Sequence, residues 1–154
     1  MSGKNTINIK NKRAKFEYHL LDKFVAGIVL GGTEIKSIRN GKASILEAFC
    51  VVERGEVFIR NMHIAEYGNA SFYQHKPKAD RKLLLNKKEI EKIEKGLSTK
   101  GLTVVPIRLF MNDKGLAKLE IALAQGKKLY DKRQDLKEKD DKRAIARVKK
   151  DFKV

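Results

Sequence analysis

The stretch "LTVVPIRLFMNDKGLAKLEIALA", residues 102–124, decides the fold. Two β-rich runs, 102–110 and 116–124, flank the turn-forming "MNDKG". In the second run Ala117, Leu119, Ile121 and Leu123 fall on one face and Lys118 and Glu120 on the other. That period of two is the mark of a strand with one buried side. Pro106 cannot donate to a ladder and belongs at an edge or a bulge. A long antiparallel hairpin follows.

Working outward, residues 44–64 read as a second hairpin, turning at Glu53, Arg54, Gly55 and Glu56. Residues 16–30, "FEYHLLDKFVAGIVL", read as one long strand that Gly27 permits to bend. Two helices interrupt the strands. The short one has Thr33 as N-cap, Glu34 in its first turn, Ile35 and Ile38 as anchors and Gly41 as its stop. The longer one, "DRKLLLNKKEIEKIEKG" at 80–96, is capped by Asp80 and stopped by Gly96, with Leu83, Ile90, Ile93 and Leu97 at helical spacing. Sequential hairpins with helices packed on them suggest a mainly β chain: an OB-fold-like closed antiparallel barrel of about six strands. The expected organisation is a flexible basic N-terminus at 1–11, the barrel at 12–126 and a basic tail at 127–154. Sixteen of the last 24 residues are charged, too many for a packed core, so the tail is expected to be disordered when free and helical on a partner.

The chain has 35 Lys and Arg against 19 Asp and Glu, a formal charge of +16 over 154 residues. Residues 16–75 are close to neutral, while 76–130 hold fourteen bases and six acids. A basic face on a folded body is the footprint of a polyanion binder, RNA above all. The longest apolar run, "FVAGIVL", is far short of the roughly 20 residues of a membrane span. The N-terminus lacks an apolar signal-peptide core, so a cytoplasmic bacterial protein is expected. No Walker loop or dinucleotide-binding glycine motif is present, and His19, His63 and His75 lack metal-ligand spacing. His63 is read as structural, and Cys50, in an apolar strand, as a buried thiol. Neither catalysis nor a metal nor a cofactor is expected.

One segment sits oddly with this charge. "GGTEIKSIRNG", residues 31–41, places the carboxylate of Glu34 beside Lys36 and Arg39. The residues leave two roles open. Glu34 can stabilise the N-terminus of a helix, or it can accept N–H groups from a base edge while its neighbours hold phosphates.

The segments "NKRAKFEY", "VAGIVL", "GTEIKSIRNGKA", "RNMHI", "RKLLLNKKEI" and "GKKLYDKR" occur in the order seen in the SsrA-binding protein family, also called small protein B. The resemblance runs from about Asn11 to Arg147. It implies a non-enzymatic OB-like barrel that binds the tRNA-like part of transfer-messenger RNA (tmRNA) and brings it to stalled bacterial ribosomes for trans-translation. The RNA contacts it implies are Asn11, Arg13, Glu34 (reading a base), Lys36, Ser37, Arg39, Arg81, Lys82, Leu84 and Asn86. The tail residues Lys127, Lys128, Tyr130, Asp131, Lys132, Arg133 and Arg147 would meet the decoding region and mRNA channel of the small ribosomal subunit. Alanyl-tRNA synthetase and elongation factor Tu are implied as further partners of a monomer. The family usually shows Pro-x-Arg-x-Arg-Lys ahead of the leucines; here Ala79 replaces the first arginine, Asp80 lies beside it, and Lys78 is the available substitute. The rival reading is a ribosomal or initiation-factor-like OB protein that binds rRNA.

Overall fold

A computed structural model of the protein describes residues 7–68, 74–128, 132–134 and 136–140. Its elements are β1 (Asn8–Lys10), α1 (Ala14–Glu17), β2 (Tyr18–Ile28), α2 (Gly32–Arg39), β3 (Ala43–Ser44), β4 (Phe49–Glu53), β5 (Glu56–Arg60), β6 (His63–Ile64), β7 (Arg81–Leu84), α3 (Lys87–Leu97), β8 (Leu102–Met111) and β9 (Ala117–Gly126). The 102–124 hairpin is β8 and β9, in register from Leu102↔Gln125 to Met111↔Ala117. Its register slips between Pro106 and Arg108, the bulge that the proline requires.

The barrel closes through β8. The strand order is β8-β4-β5-β7-β2-β9, and β9 pairs again with β8, so six antiparallel strands form a ring. β1 adds to the side of β8, with Ile9 opposite Leu109. β3 and β6 pair separately. Inside lie Ala26, Val57, Ile59, Leu83, Val104, Leu109, Leu119 and Ile121, all fully or nearly fully buried. Each large side chain removed from water contributes roughly 1.5–3 kcal/mol. Cys50 is among them, and burial pushes its thiol up to about 12, which leaves it inert. The β4–β5 turn has positive φ at both central residues, Arg54 and Gly55, the type I′ geometry that matches strand twist.

Several expectations change. Residues 81–84 are not the start of the long helix. They form β7, because closure requires a strand between β5 and β2, with Val57 opposite Leu83 and Gly27 opposite Leu84. Asn86, not Asp80, caps α3. Gly96 lies inside α3 rather than ending it; a Cβ there would sit 2.5 Å from Leu123 Cδ2, so glycine lets the helix press on β9. α2 begins after Gly31, not Thr33, whose hydroxyl instead bonds His75 Nδ1 at 2.9 Å. Gly41, at φ 74°, is the stop as read. β2 bends at a bulge between Leu20 and Lys23, while Gly27 admits Leu84. Residues 8–10, placed by the sequence in a flexible N-terminus, form β1, and the short α1 leads into β2. Within the tail, residues 132–134 and 136–140 are helical.

Candidate nucleic-acid interface

α2 and β7 are joined by a buried ion pair. Gly31 N donates to Glu34 Oε1 at 2.9 Å, closing the first turn of α2. Glu34 Oε2 accepts from Arg81 Nε, and the two side chains are 12% and 2% exposed. Arg81 points inward because it alternates with the core residue Leu83 along β7. Its Nη1 donates to Met62 O at 2.8 Å, and its Nη2 to Lys76 O at 3.2 Å and Pro77 O at 3.1 Å. One guanidinium therefore fixes the start of α2, the entry to β6 and the segment before β7. A buried charge demands this satisfaction; left unpaired it would be strongly destabilising.

The outward face of these elements is free to meet a ligand. Lys36 and Arg39 project from α2, both exposed. Lys36 Nζ lies 5.4 Å from the centroid of the Tyr67 ring, a cation–π contact. On β7, Lys82 is half-buried and pairs with Glu56 at 3.1 Å, and Leu84 is 54% exposed. Leu84 lies over Gly27, beside the outward Val25 and Val29, so a short apolar strip borders the cations. Asn86 is exposed at the N-terminus of α3. Its Oδ1 accepts from Glu89 N at 2.9 Å, and Glu89 Oε1 accepts from Asn86 N at 3.1 Å, the reciprocal capping box. Exposed lysines, an arginine, an apolar strip and an amide are groups that can hold RNA phosphates and lie against unstacked bases.

The other five expected contact residues stand elsewhere or are engaged within the protein. Asn11 is buried; its Nδ2 donates to Pro106 O at 2.9 Å and Ile45 O at 3.4 Å, and its Oδ1 accepts from Arg13 N, so it pins α1 to the barrel. Ser37 is buried on the inner side of α2, its hydroxyl without a partner among the described residues. Arg81 is buried in the ion pair. Of the two roles open for Glu34, the geometry supplies the helix-end one and adds Arg81; both carboxylate oxygens are bonded within the protein. Arg13 is exposed, on the α1 side of the barrel. In the tail, Lys127 N donates to Glu17 O at 2.8 Å, Lys128 and Arg133 are exposed, and Lys132 Nζ lies 5.9 Å from the centroid of the Phe16 ring. Tyr130, Asp131 and Arg147 lie outside the described residues. Among the described residues no group of three acidic, His or Cys side chains could hold a metal, and no helix is long and apolar enough to cross a membrane.

Sequence reasoning missed the Glu34–Arg81 pair. The available signal was that Arg81 and Leu83 share one face once 81–84 is a strand.

Known proteins resemble the chain throughout. The sequence model of the family described as SmpB protein matches residues 8–151. An SsrA-binding protein of Bacteroides thetaiotaomicron is 61% identical over 143 residues, 93% of this chain and 95% of its own. That of Christiangramia forsetii is 55% identical over 150 residues, 97% of this chain and 96% of its own. A solved structure described as "tmRNA-SmpB: a journey to the center of the bacterial ribosome" superposes with a TM-score of 0.68 at 40% identity, over 80% of this chain and 86% of that one.

Proposed function

The chain belongs to the SmpB family, and from that membership we propose that it binds the tRNA-like domain of tmRNA and delivers it to stalled bacterial ribosomes for trans-translation. The family is one of RNA-binding proteins rather than enzymes. The observation that supports the reading here is the buried Glu34–Arg81 pair, which ties α2, with its exposed Lys36 and Arg39, to β7, the strand that carries Lys82 and Leu84 and leads to Asn86. On this reading the cations neutralise the RNA backbone, and Leu84 and the Asn86 amide meet bases at the elbow of the tRNA-like fold. Glu34 acts on RNA through α2 and Arg81 rather than by reading a base itself.

The tail contributes the second half of the function. Lys127, Lys128, Lys132 and Arg133 hold ribosomal RNA phosphates, Tyr130 stacks in the decoding region, and the rest, with Asp131 and Arg147, lies as a helix in the empty mRNA channel. Alanyl-tRNA synthetase and elongation factor Tu join through the tmRNA, and the protein works as a monomer in the bacterial cytoplasm.

Truncation tests this division. β9 continues to Gly126, paired with Tyr18, so the cut belongs after Lys128. The truncated protein is expected to fold and to bind the tRNA-like domain as the full chain does, and to lose peptide tagging on ribosomes stalled at a truncated mRNA. Normal tagging by the truncated protein would reject the tail's role. Tighter binding to rRNA stem-loops than to the tRNA-like domain would favour the rRNA-binding reading instead.

A further inference from the structure

A cavity of about 320 Å³ opens between α1, the β3–β6 pair and the segment before β7; of the RNA contacts that the resemblance implies, it takes in Arg13 alone. Three nitrogen-bearing side chains reach it from three separate parts of the chain: Arg13 at the N-cap of α1, His63 on β6 and Lys78 ahead of β7. Ser44, opposite His63 in the β3–β6 pair, and Asn61 add short polar groups, and Leu46 adds an apolar wall. Glu47 is the one acid among the lining residues.

The cations of this cavity differ from several others on the barrel. Arg60, Arg81, Lys82 and Arg108 are each paired with a carboxylate. The side chains of Arg13, His63 and Lys78 make no ion pair or hydrogen bond among the described residues, and all three are exposed. His63 is thus not the structural histidine that its place in a strand suggested. Asn61 holds a left-handed backbone, φ 61°, where the chain turns from β5 into β6 at the cavity. Lys78 is held in place indirectly, because Arg81 bonds the carbonyls of Lys76 and Pro77 just before it.

We propose that this cavity binds one backbone phosphate of the RNA, with its sugar against Leu46. The inference rests on the RNA-binding reading above and extends it by one contact. A phosphodiester carries a single negative charge. The arginine fork can take two of its oxygens, the lysine supplies a point charge, and a histidine N–H supplies a further donor. A free phosphate or other small anion offers the same oxygens, so the test must separate the two sources.

The experiment measures affinity for the tRNA-like domain across a salt series, for the full-length protein and for Arg13→Gln, Lys78→Gln, their double variant, and Lys100→Gln as an exposed control that does not line the cavity. The single cavity variants are expected to bind several-fold more weakly. The double variant should flatten the slope of log K against log salt by about 0.7–0.9, one phosphate's worth, while Lys100→Gln leaves it unchanged. In parallel, inorganic phosphate is titrated while the His63 ring signals are followed by NMR. A double variant with the wild-type affinity and slope overturns the proposal. If that result comes with His63 signals that move with phosphate, the cavity is a small-anion site and not an RNA contact. Absence of any tRNA-like domain binding by the wild type would sink the functional reading. In that case, His63 signals that also ignore phosphate would sink the cavity on its own account.

Discussion

Helix α2 opens on Gly31 with Glu34 three residues into it, and helix α3 opens on Asn86 with Glu89 three residues into it. Locally the two starts look alike, since each glutamate reaches back to the backbone N–H of its N-cap. They differ in what completes them. Asn86 returns a side-chain acceptor to Glu89 N, so α3 is capped by its own sequence. Gly31 has no side chain, and α2 has only half of the box. The other oxygen of Glu34 goes to Arg81, forty-seven residues away and buried. α3 is thus stopped and started by local chemistry, while α2 is bolted to β7. The start of the helix that carries Lys36 and Arg39 is tied to a strand of the barrel, whereas the start of α3 is completed by its own side chain. A surface meant to match a rigid RNA needs that, because a small displacement of the cations changes which phosphates they reach.

The sharpest way to break this comparison is Arg81→Met. It leaves Glu34 with a buried, unpaired charge and frees three carbonyls, at a cost of about 3–5 kcal/mol. Chemical denaturation should show the loss as a lower midpoint. Adding Glu34→Leu should recover much of it, since replacing both members of a buried pair by apolar groups is often near neutral. The double variant should still bind RNA more weakly than wild type, because the carbonyls of Met62, Lys76 and Pro77 remain without their donor. If Arg81→Met is as stable as wild type, the pair does not anchor α2.

A middle-sized effect separates capping from RNA contact at Asn86. Asn86→Ala should cost about 1 kcal/mol as a lost N-cap. Asn86→Asp keeps the acceptor for Glu89 N, so stability should hold, while the amide donors vanish and an acid enters the RNA-facing surface. Its affinity for the tRNA-like domain should fall as far as that of Asn86→Ala or further. Equal RNA affinity for Asn86→Asp and wild type would confine Asn86 to the cap.

How far the sequence reveals this arrangement varies along the chain. The two hairpins are legible because alternation and turn chemistry agree, as at Leu119 and Ile121 against Lys118 and Glu120, or at Arg54-Gly55. The "RKLLL" run is not, because three successive leucines satisfy either period. Only the demand that a strand lie between β5 and β2 settles it. Once 81–84 is read as helix, Arg81 looks like a surface cation and Glu34 like a free acid. The same limit applies to Asn11, a polar residue in a basic segment whose partners, Pro106 and Ile45, are remote in sequence. Lys36, Arg39, Leu84 and Asn86 are named by the family resemblance rather than by any local pattern, and all four are exposed.

The smallest effect is the most direct check on the comparison. Glu89→Gln keeps an oxygen for Asn86 N, since glutamine serves at the third position of a capping box as glutamate does. What is lost is the attraction of a partly exposed charge for the helix N-terminus, about 0.3–1 kcal/mol at low salt and less at physiological salt. RNA affinity should stay level or rise slightly, because an acid next to Asn86 is gone. Glu34→Gln makes the same chemical change at the same helix position, yet there the carboxylate faces a guanidinium that is 2% exposed. Neutralising it strands that charge, so its cost should exceed that of Glu89→Gln several-fold, and salt should not erase the difference because the pair is shielded from solvent. Side-by-side urea unfolding at low and high salt decides the matter. Two variants of equal stability would mean that α2, like α3, is held by its own cap, and that the bolt to β7 contributes nothing.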